Sequence, residues 1–275
     1  MNRNSPALPR RNFLAAGSAM AATSVLSACG GDDISATPIP VSDGELQAQM
    51  VGKLTAQLGD AATANAIEPA MMDVGFTWDY PLIPAVQINA IVAYSFGNRP
   101  NAASGNTSST GVNQAALPDP GPVNEALADA VYRIYQLKPV RVFAQWEIAR
   151  FLLSKYQMGS SVLTSIEPVI ASDGTIVYLS TAGVAGAALA RAGGAAAMGN
   201  VSVVAHRDHV KRCIEISQLV GMKAFGAKEV PLPTLYDPQS GQPWTRNRSL
   251  YLVHDMYSQM IMKSTILTSQ AYPHG

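Results

Sequence analysis

Charge is scarce in this chain: 14% of its 275 residues are charged, and 19 Lys and Arg stand against 19 Asp and Glu. With no net excess there is no broad electropositive field to gather phosphates, so nucleic acid is not expected as a partner. Cysteine is nearly absent too. The 2 cysteines, Cys29 and Cys213, cannot build a disulfide scaffold. There is no internal repeat and no long run of like charge. No Gly-x-Ser-x-Gly turn occurs, which leaves a serine nucleophile of that type without support. What is abundant is apolar: 48% of residues are hydrophobic, enough for one large domain or two small ones.

The N-terminal residues 1–28 read as a targeting segment, with a basic start, an apolar middle and a small-residue end. Pro9-Arg10-Arg11-Asn12-Phe13-Leu14-Ala15 resembles a twin-arginine export signal. The apolar stretch 13–28 is 16 residues long, short of the roughly 20 that span a bilayer. It ends in Leu26-Ser27-Ala28-Cys29-Gly30-Gly31, which resembles a bacterial lipobox, in which the cysteine is acylated and becomes the new N-terminus. The alternative is an ordinary signal peptide that happens to end beside a cysteine. Acylation of Cys29 would make the protein an exported lipoprotein, held to the membrane and facing the periplasm. Cys213 would then lack a partner in an oxidising compartment, so burial is expected for it. Removing residues 1–28 leaves 16 basic against 19 acidic side chains, a formal −3, which gives no help from anionic lipid. Residues 29–42, rich in Asp, Ser, Thr, Pro and Gly, suit a flexible tether.

From residue 43 to 275 the pattern predicts one α/β domain. Leu46, Met50, Leu54 and Leu58 keep helical spacing from Asp43 to a capping Gly59. Phe76, Trp78 and Tyr80 fall in an irregular segment between prolines. Strands are predicted at 86–94, 140–144, 175–179, 201–205 and 223–225. Helices are predicted at 123–137, 148–156, 183–192, from 206 through 220, and at 248–262. A loop of Asn, Ser, Gly and Pro at 100–122 has no periodicity and reads as a lid. Strands alternating with helices imply a mainly parallel sheet in a Rossmann-like three-layer fold. Ligands of such sheets sit beyond the carboxyl ends of the strands.

Three of those ends carry unusual polar groups: Gly97-Asn98-Arg99, Gln145-Trp146-Glu147, and His206-Arg207-Asp208-His209 with Arg212 one turn later. Ala90-Ile91-Val92 leading into Gly97-Asn98-Arg99, then Asn124-Glu125-Ala126-Leu127, and later 203–213, Val-Val-Ala-His-Arg-Asp-His-Val-Lys-Arg-Cys, resemble the SanA/ElyC/YdcF-like family of envelope proteins. His209 and Arg212 match a His-x-x-Arg-like step of that family. The resemblance implies a Rossmann-like sheet and a role in cell-envelope maintenance. The chain departs from the family at Ser95-Phe96-Gly97, where relatives carry several glycines. It departs again at 180–186, Ser-Thr-Ala-Gly-Val-Ala-Gly, in place of an acidic and Ser/Thr-Asn segment.

Each group has a functional and a structural reading. Arg207 and Arg212, with the backbone N–H groups opening the helix after Ala205, could hold a phosphate or carboxylate, or form a solvated helix face. His206, Asp208 and His209 are metal-ligand types, yet no second cluster joins them, and a capping or ion-pair role for Asp208 is the simpler reading. No metal is therefore expected. The same letters open like a kinase catalytic loop, but Cys213 stands where Asn is needed, so a kinase is rejected. Gly183 and Gly186 match two of three glycines in a dinucleotide fingerprint, and close helix packing accounts for them equally; no cofactor is identified. Glu125 lies in a first helical turn, where the dipole favours a carboxylate. Glu147, partly desolvated by Trp146, could serve as general acid or base.

The reading that results is an exported lipoprotein binding an anionic small molecule, a nucleotide or phosphorylated envelope precursor. Its expected ligand contacts are Gly97, Asn98, Arg99, Glu125, Gln145, His206, Arg207 and Arg212. A hydrolase or transferase version adds Glu147 and His209 as proton-transfer groups. The alternative is a non-catalytic envelope scaffold whose lid or C-terminal tail contacts an unidentified protein partner.

Overall fold

β2 (Ala90–Ala93) is buried on both faces, the signature of a parallel strand covered on each side. Successive side chains of a strand point to opposite faces, and here they sort into two cores. Ile91 and Ala93 pack with Leu127 and Val131 of α3 (Gly121–Leu137) and with Ile148 and Leu152 of α4 (Trp146–Ser154). Ala90 and Val92 pack instead with Val184 and Ala188 of α5 (Thr181–Ala192) and with Val210 and Ile214 of α7 (Val210–Leu219). Fully burying one Ile or Leu is worth about 1.5–3 kcal/mol, so these two cores dominate the stability.

This computed structural model describes residues 41–101, 116–173 and 175–273. The export segment 1–28, Cys29 with all but the end of the tether, and residues 102–115 of the expected lid lie outside them. The chain divides into two units, and the second, Asp43–Gly275, carries every element named here. It is a single Rossmann-like α/β domain with helices on both faces of a six-stranded, all-parallel sheet. In addition to β2, the sheet contains β1 (Leu82–Ile83), β3 (Arg141–Gln145), β4 (Leu163–Ile166), β7 (Asn200–Val204) and β8 (Lys223–Ala227), in the order β1-β8-β7-β2-β3-β4. From β2 the chain steps to β3 and β4 on one side. It then returns through α5 and α6 (Ala195–Met198) to β7 on the other side of β2. The direction of winding reverses between β2 and β7, and a crevice opens beyond the carboxyl ends of strands at such a point.

Several elements differ from the sequence expectations. The strand expected at 86–94 shortens to four residues because Ala85–Gln87 forms a 3-10 turn. The strand expected at 175–179 is only β6 (Ile176–Val177), paired antiparallel with β5 (Val169–Ile170) outside the main sheet. The edge strand β4 and the helix α2 (Ala61–Phe76) were not anticipated. α2 follows the expected α1 (Asp43–Leu58), is capped by Asp60 and contains Pro69, a residue that argues locally against a helix. Tertiary contacts overrule that signal. Lys211 Nζ donates to Asp73 O at 2.6 Å, Asp73 Oδ1 at 2.9 Å and Thr77 O at 2.6 Å, fastening the end of α2. The last helix, α8 (Arg248–Ala271), runs nine residues beyond its expected end at Met262. Among the described residues no helix is long and apolar enough to cross a membrane.

Candidate functional site

The segment after β2 is shaped by its neighbours. Ser95 N donates to Gln145 Oε1 at 3.1 Å and Phe96 N to Asn124 Oδ1 at 2.9 Å. The Asn124 amide donates in turn to Gly97 O at 2.7 Å and Pro120 O at 2.6 Å. Asn124 is fully buried and clamps the turn. Gly97 sits at φ +69, and a Cβ there would lie 2.8 Å from Thr245 Oγ1 and 2.9 Å from Ser240 Oγ. A side chain would be strained in backbone and in space. Gly97→Ala should therefore lower the unfolding free energy by about 2–3 kcal/mol, read as a shifted urea midpoint; an unchanged midpoint would show that the turn relaxes freely.

After β7, His206 is fully buried and its ring stacks on Phe96 at 4.1 Å. Its Nδ1 accepts from Asp208 N at 3.2 Å, so Nε2 carries the proton and donates to Leu235 O at 3.1 Å. Burial pulls this imidazole down to about 4. It is a structural ring, joined to the segment 228–247 that straps over the strand ends.

The strap also takes the arginines. Arg99 is bidentate to Asp237, Nε to Oδ2 at 2.6 Å and Nη2 to Oδ1 at 2.9 Å. Asp208 accepts from Tyr236 at 2.7 Å, from Arg248 at 3.0 Å and from Arg207 at 3.3 Å. Burial would raise the Asp208 carboxyl, but these donors outweigh it and hold the group below its usual range.

Beside these pairs lies a cleft of about 830 Å³, at the upper end of the size usual for small-molecule sites. Ser95, Gly97 and Gln145 form its floor, the first turn of α5 one side, and α7 and α8 the remaining walls. Among the described residues no carboxylate lines it, and Arg212 is the one permanently charged residue that does. Arg212 Nε donates to Asp255 Oδ1 at 2.7 Å, and Nη1 donates to Thr181 Oγ1 at 3.3 Å. Nη2 reaches His209 Nδ1 at 3.1 Å and Tyr251 OH at 3.4 Å. A guanidinium has five N–H donors, so one remains for a ligand.

Two groups compete for His209 Nδ1: Arg212 Nη2 at 3.1 Å and Asp255 Oδ1 at 3.4 Å. Arginine can only donate, so the shorter contact requires an unprotonated Nδ1, and the neutral ring carries its proton on Nε2. Burial, with Arg212 beside it, holds this imidazole down to about 4, which keeps it neutral at pH 7. His209 thus offers a hydrogen bond rather than a base. Burial alone would raise the Asp255 carboxyl. The Arg212 charge and the Gln259 amide oppose burial and hold it below its usual range, so it is an anion behind Arg212 at neutral pH.

Of the expected site residues, Gly97, Gln145, His209 and Arg212 come together in the cleft. Asn98, Arg99, Glu125, Glu147, His206 and Arg207 are not in its wall. For Arg99 and Arg207 the reason is that a carboxylate of the strap or of the adjacent turn is in reach. Glu125 is a surface partner of Lys155 at 2.9 Å. Glu147 is 2% exposed, and burial pushes its carboxyl up to about 8, against the Ser95 and Asn98 side chains beside it. Among the described residues its Oε2 has no hydrogen-bond partner.

Asn124, Thr181, Thr245, Tyr251 and Asp255 were not singled out as site residues from the sequence. The last three belong to strap and α8, far along the chain and without a motif; the Asp255/Gln259 spacing on one helix face was the available signal. Cys213 is fully buried, and burial pushes its thiol well up. Among the described residues no group of three or more His, Cys, Asp or Glu is placed to hold a metal ion. Comparison of the chain with protein-family models, with curated proteins and with solved structures finds no match.

Proposed function

We propose that this domain binds a small molecule with an oxygen-rich, anionic head at the β2/β7 crevice, in the setting of an exported envelope lipoprotein anchored through Cys29. One observation carries the reading. Among the described residues the inner end of the cleft is lined by donors without a carboxylate: Arg212, the neutral His209 and the opening backbone of α5 at Thr181 and Ala182. A helix N-terminus and a guanidinium favour the same sign of ligand charge. The envelope setting is supported by the twin-arginine and lipobox resemblances and by the likeness to SanA/ElyC/YdcF-like proteins. Because Arg212 is balanced by Asp255, the head is held by directed hydrogen bonds more than by net charge.

The test is thermal stabilisation by inorganic phosphate, short carboxylates and nucleotides. Ala182 is exposed and lines the cleft, so Ala182→Trp should fill the head site while leaving the fold intact. It should abolish a stabilisation that the unaltered protein shows. Arg207→Ala, outside the cleft, should keep it. Equal stabilisation of all three proteins would overturn the reading.

A further inference from the structure

Beyond the donor-lined end, the cleft continues between α7 and α8. Its lining on α8 extends from Tyr251, which contacts Arg212, to Gln270; at 1.5 Å per residue that is about 28 Å. One ligand lying along that length must meet hydrogen-bond donors at one end and mainly apolar side chains beyond, a demand that an amphiphile with an extended hydrocarbon chain satisfies.

The walls beyond are mainly apolar. Ile216 and Leu219 of α7 line this stretch with Ile261, Met262 and Ile266 of α8. Two hydroxyls here are turned back onto their own helix, Ser258 Oγ donating to His254 O at 3.0 Å and Thr265 Oγ1 to Ile261 O at 3.0 Å, and Ser269 and Gln270 line its far end. Leu219 and Ile261 line the cleft and are still 55% and 50% exposed. An occupant would remove that apolar surface from water.

We infer that the ligand is an amphiphile with a long hydrocarbon chain, its anionic oxygen head at the β2/β7 crevice and its chain laid between α7 and α8. This rests on the head-binding reading above and adds the chemistry of the rest of the ligand. A carboxylate and a phosphate monoester fit the same donors.

The experiment titrates the full chain carrying Cys29→Ser, which has no lipid of its own, with n-alkanoates from butanoate to hexadecanoate and with hexadecyl phosphate. Trp244, in the cleft wall, serves as the fluorescent reporter. Affinity should rise about fourfold per methylene, since each buried CH₂ is worth about 0.8 kcal/mol. The tighter of the two long-chain probes identifies the head. Leu219→Glu and Ile261→Glu, at half-exposed positions, should each weaken long-chain binding at least tenfold and leave inorganic phosphate unaffected. Head ligands that bind with no gain from chain length would overturn this inference and spare the head reading. Long-chain binding indifferent to both glutamate variants would also overturn it. Failure of every probe, phosphate included, would overturn both.

Discussion

Asp255→Ala should cost the fold about 3–5 kcal/mol, because it strands the Arg212 guanidinium in the interior without a counter-charge. Asp255 is 1% exposed and accepts from Arg212 at 2.7 Å, from Gln259 at 2.8 Å and from Tyr251 at 3.0 Å. For a domain of this size the loss corresponds to a fall in Tm of about 6–20 °C. Removing both partners is expected to be milder than removing one. Arg212→Leu combined with Asp255→Leu should recover much of the stability while losing the head ligand. The carboxyl is held at about 2, below its usual 3.8, so its contribution is complete above pH 4 and fades as pH falls toward 2. Calorimetry of Asp255→Ala and of the double variant decides the matter: a loss below about 1 kcal/mol in Asp255→Ala would mean that the pair behaves as a surface bridge.

The second large effect is a stability maximum near pH 6.5. His206 and His209 are neutral in the fold, with imidazoles lowered from 6.5 to about 4. Unfolding frees them to bind protons, so their stabilisation is present above pH 6.5 and is lost as pH falls toward 4, about 3 kcal/mol each. Glu147 acts in the opposite sense. Its carboxyl is raised from 4.5 to about 8, so the stability linked to its protonation is whole below pH 4.5 and drains as pH rises through 8, about 5 kcal/mol in all. Two protons favour the native state on the alkaline side of one range and one proton on the acid side of the other; their limbs cross near pH 6.5. Urea unfolding from pH 4.5 to 8.5 should trace that dome. Glu147→Gln should flatten its alkaline side and steepen its acid side. A wild-type profile that stays level from pH 6.5 to 8.5 would show Glu147 ionised in the fold.

Much of the fold can be read along the chain because parallel strands buried on both faces must be apolar at every position. Ala90 to Ala93 and Val142 to Ala144 have that pattern, Val201 to Val204 has it but for the small buried Ser202, and their helices keep helical spacing. Short edge elements have no such constraint. Leu163–Ile166 carries Thr164 and Ser165 and sits at the sheet margin, so its strand state depends on pairing with β3. α2 contradicts its own Pro69 and owes its place to Lys211.

The candidate site divides the same way. Gly97, Gln145, His209 and Arg212 follow from sequence because strand ends next to the winding reversal must face one crevice. Arg99 and Arg207 stand at equally good positions in the chain, and local patterning cannot distinguish them from Arg212.

By itself the sequence determined the layer order, the strands flanking the crevice and which polar residues stand at their ends, since backbone periodicity and burial are local in origin. Only the tertiary structure decided which charges were free. Asp237 and Asp255 come from segments distant from the arginines they pair with, and electrostatic pairing depends on distance in space rather than separation along the chain.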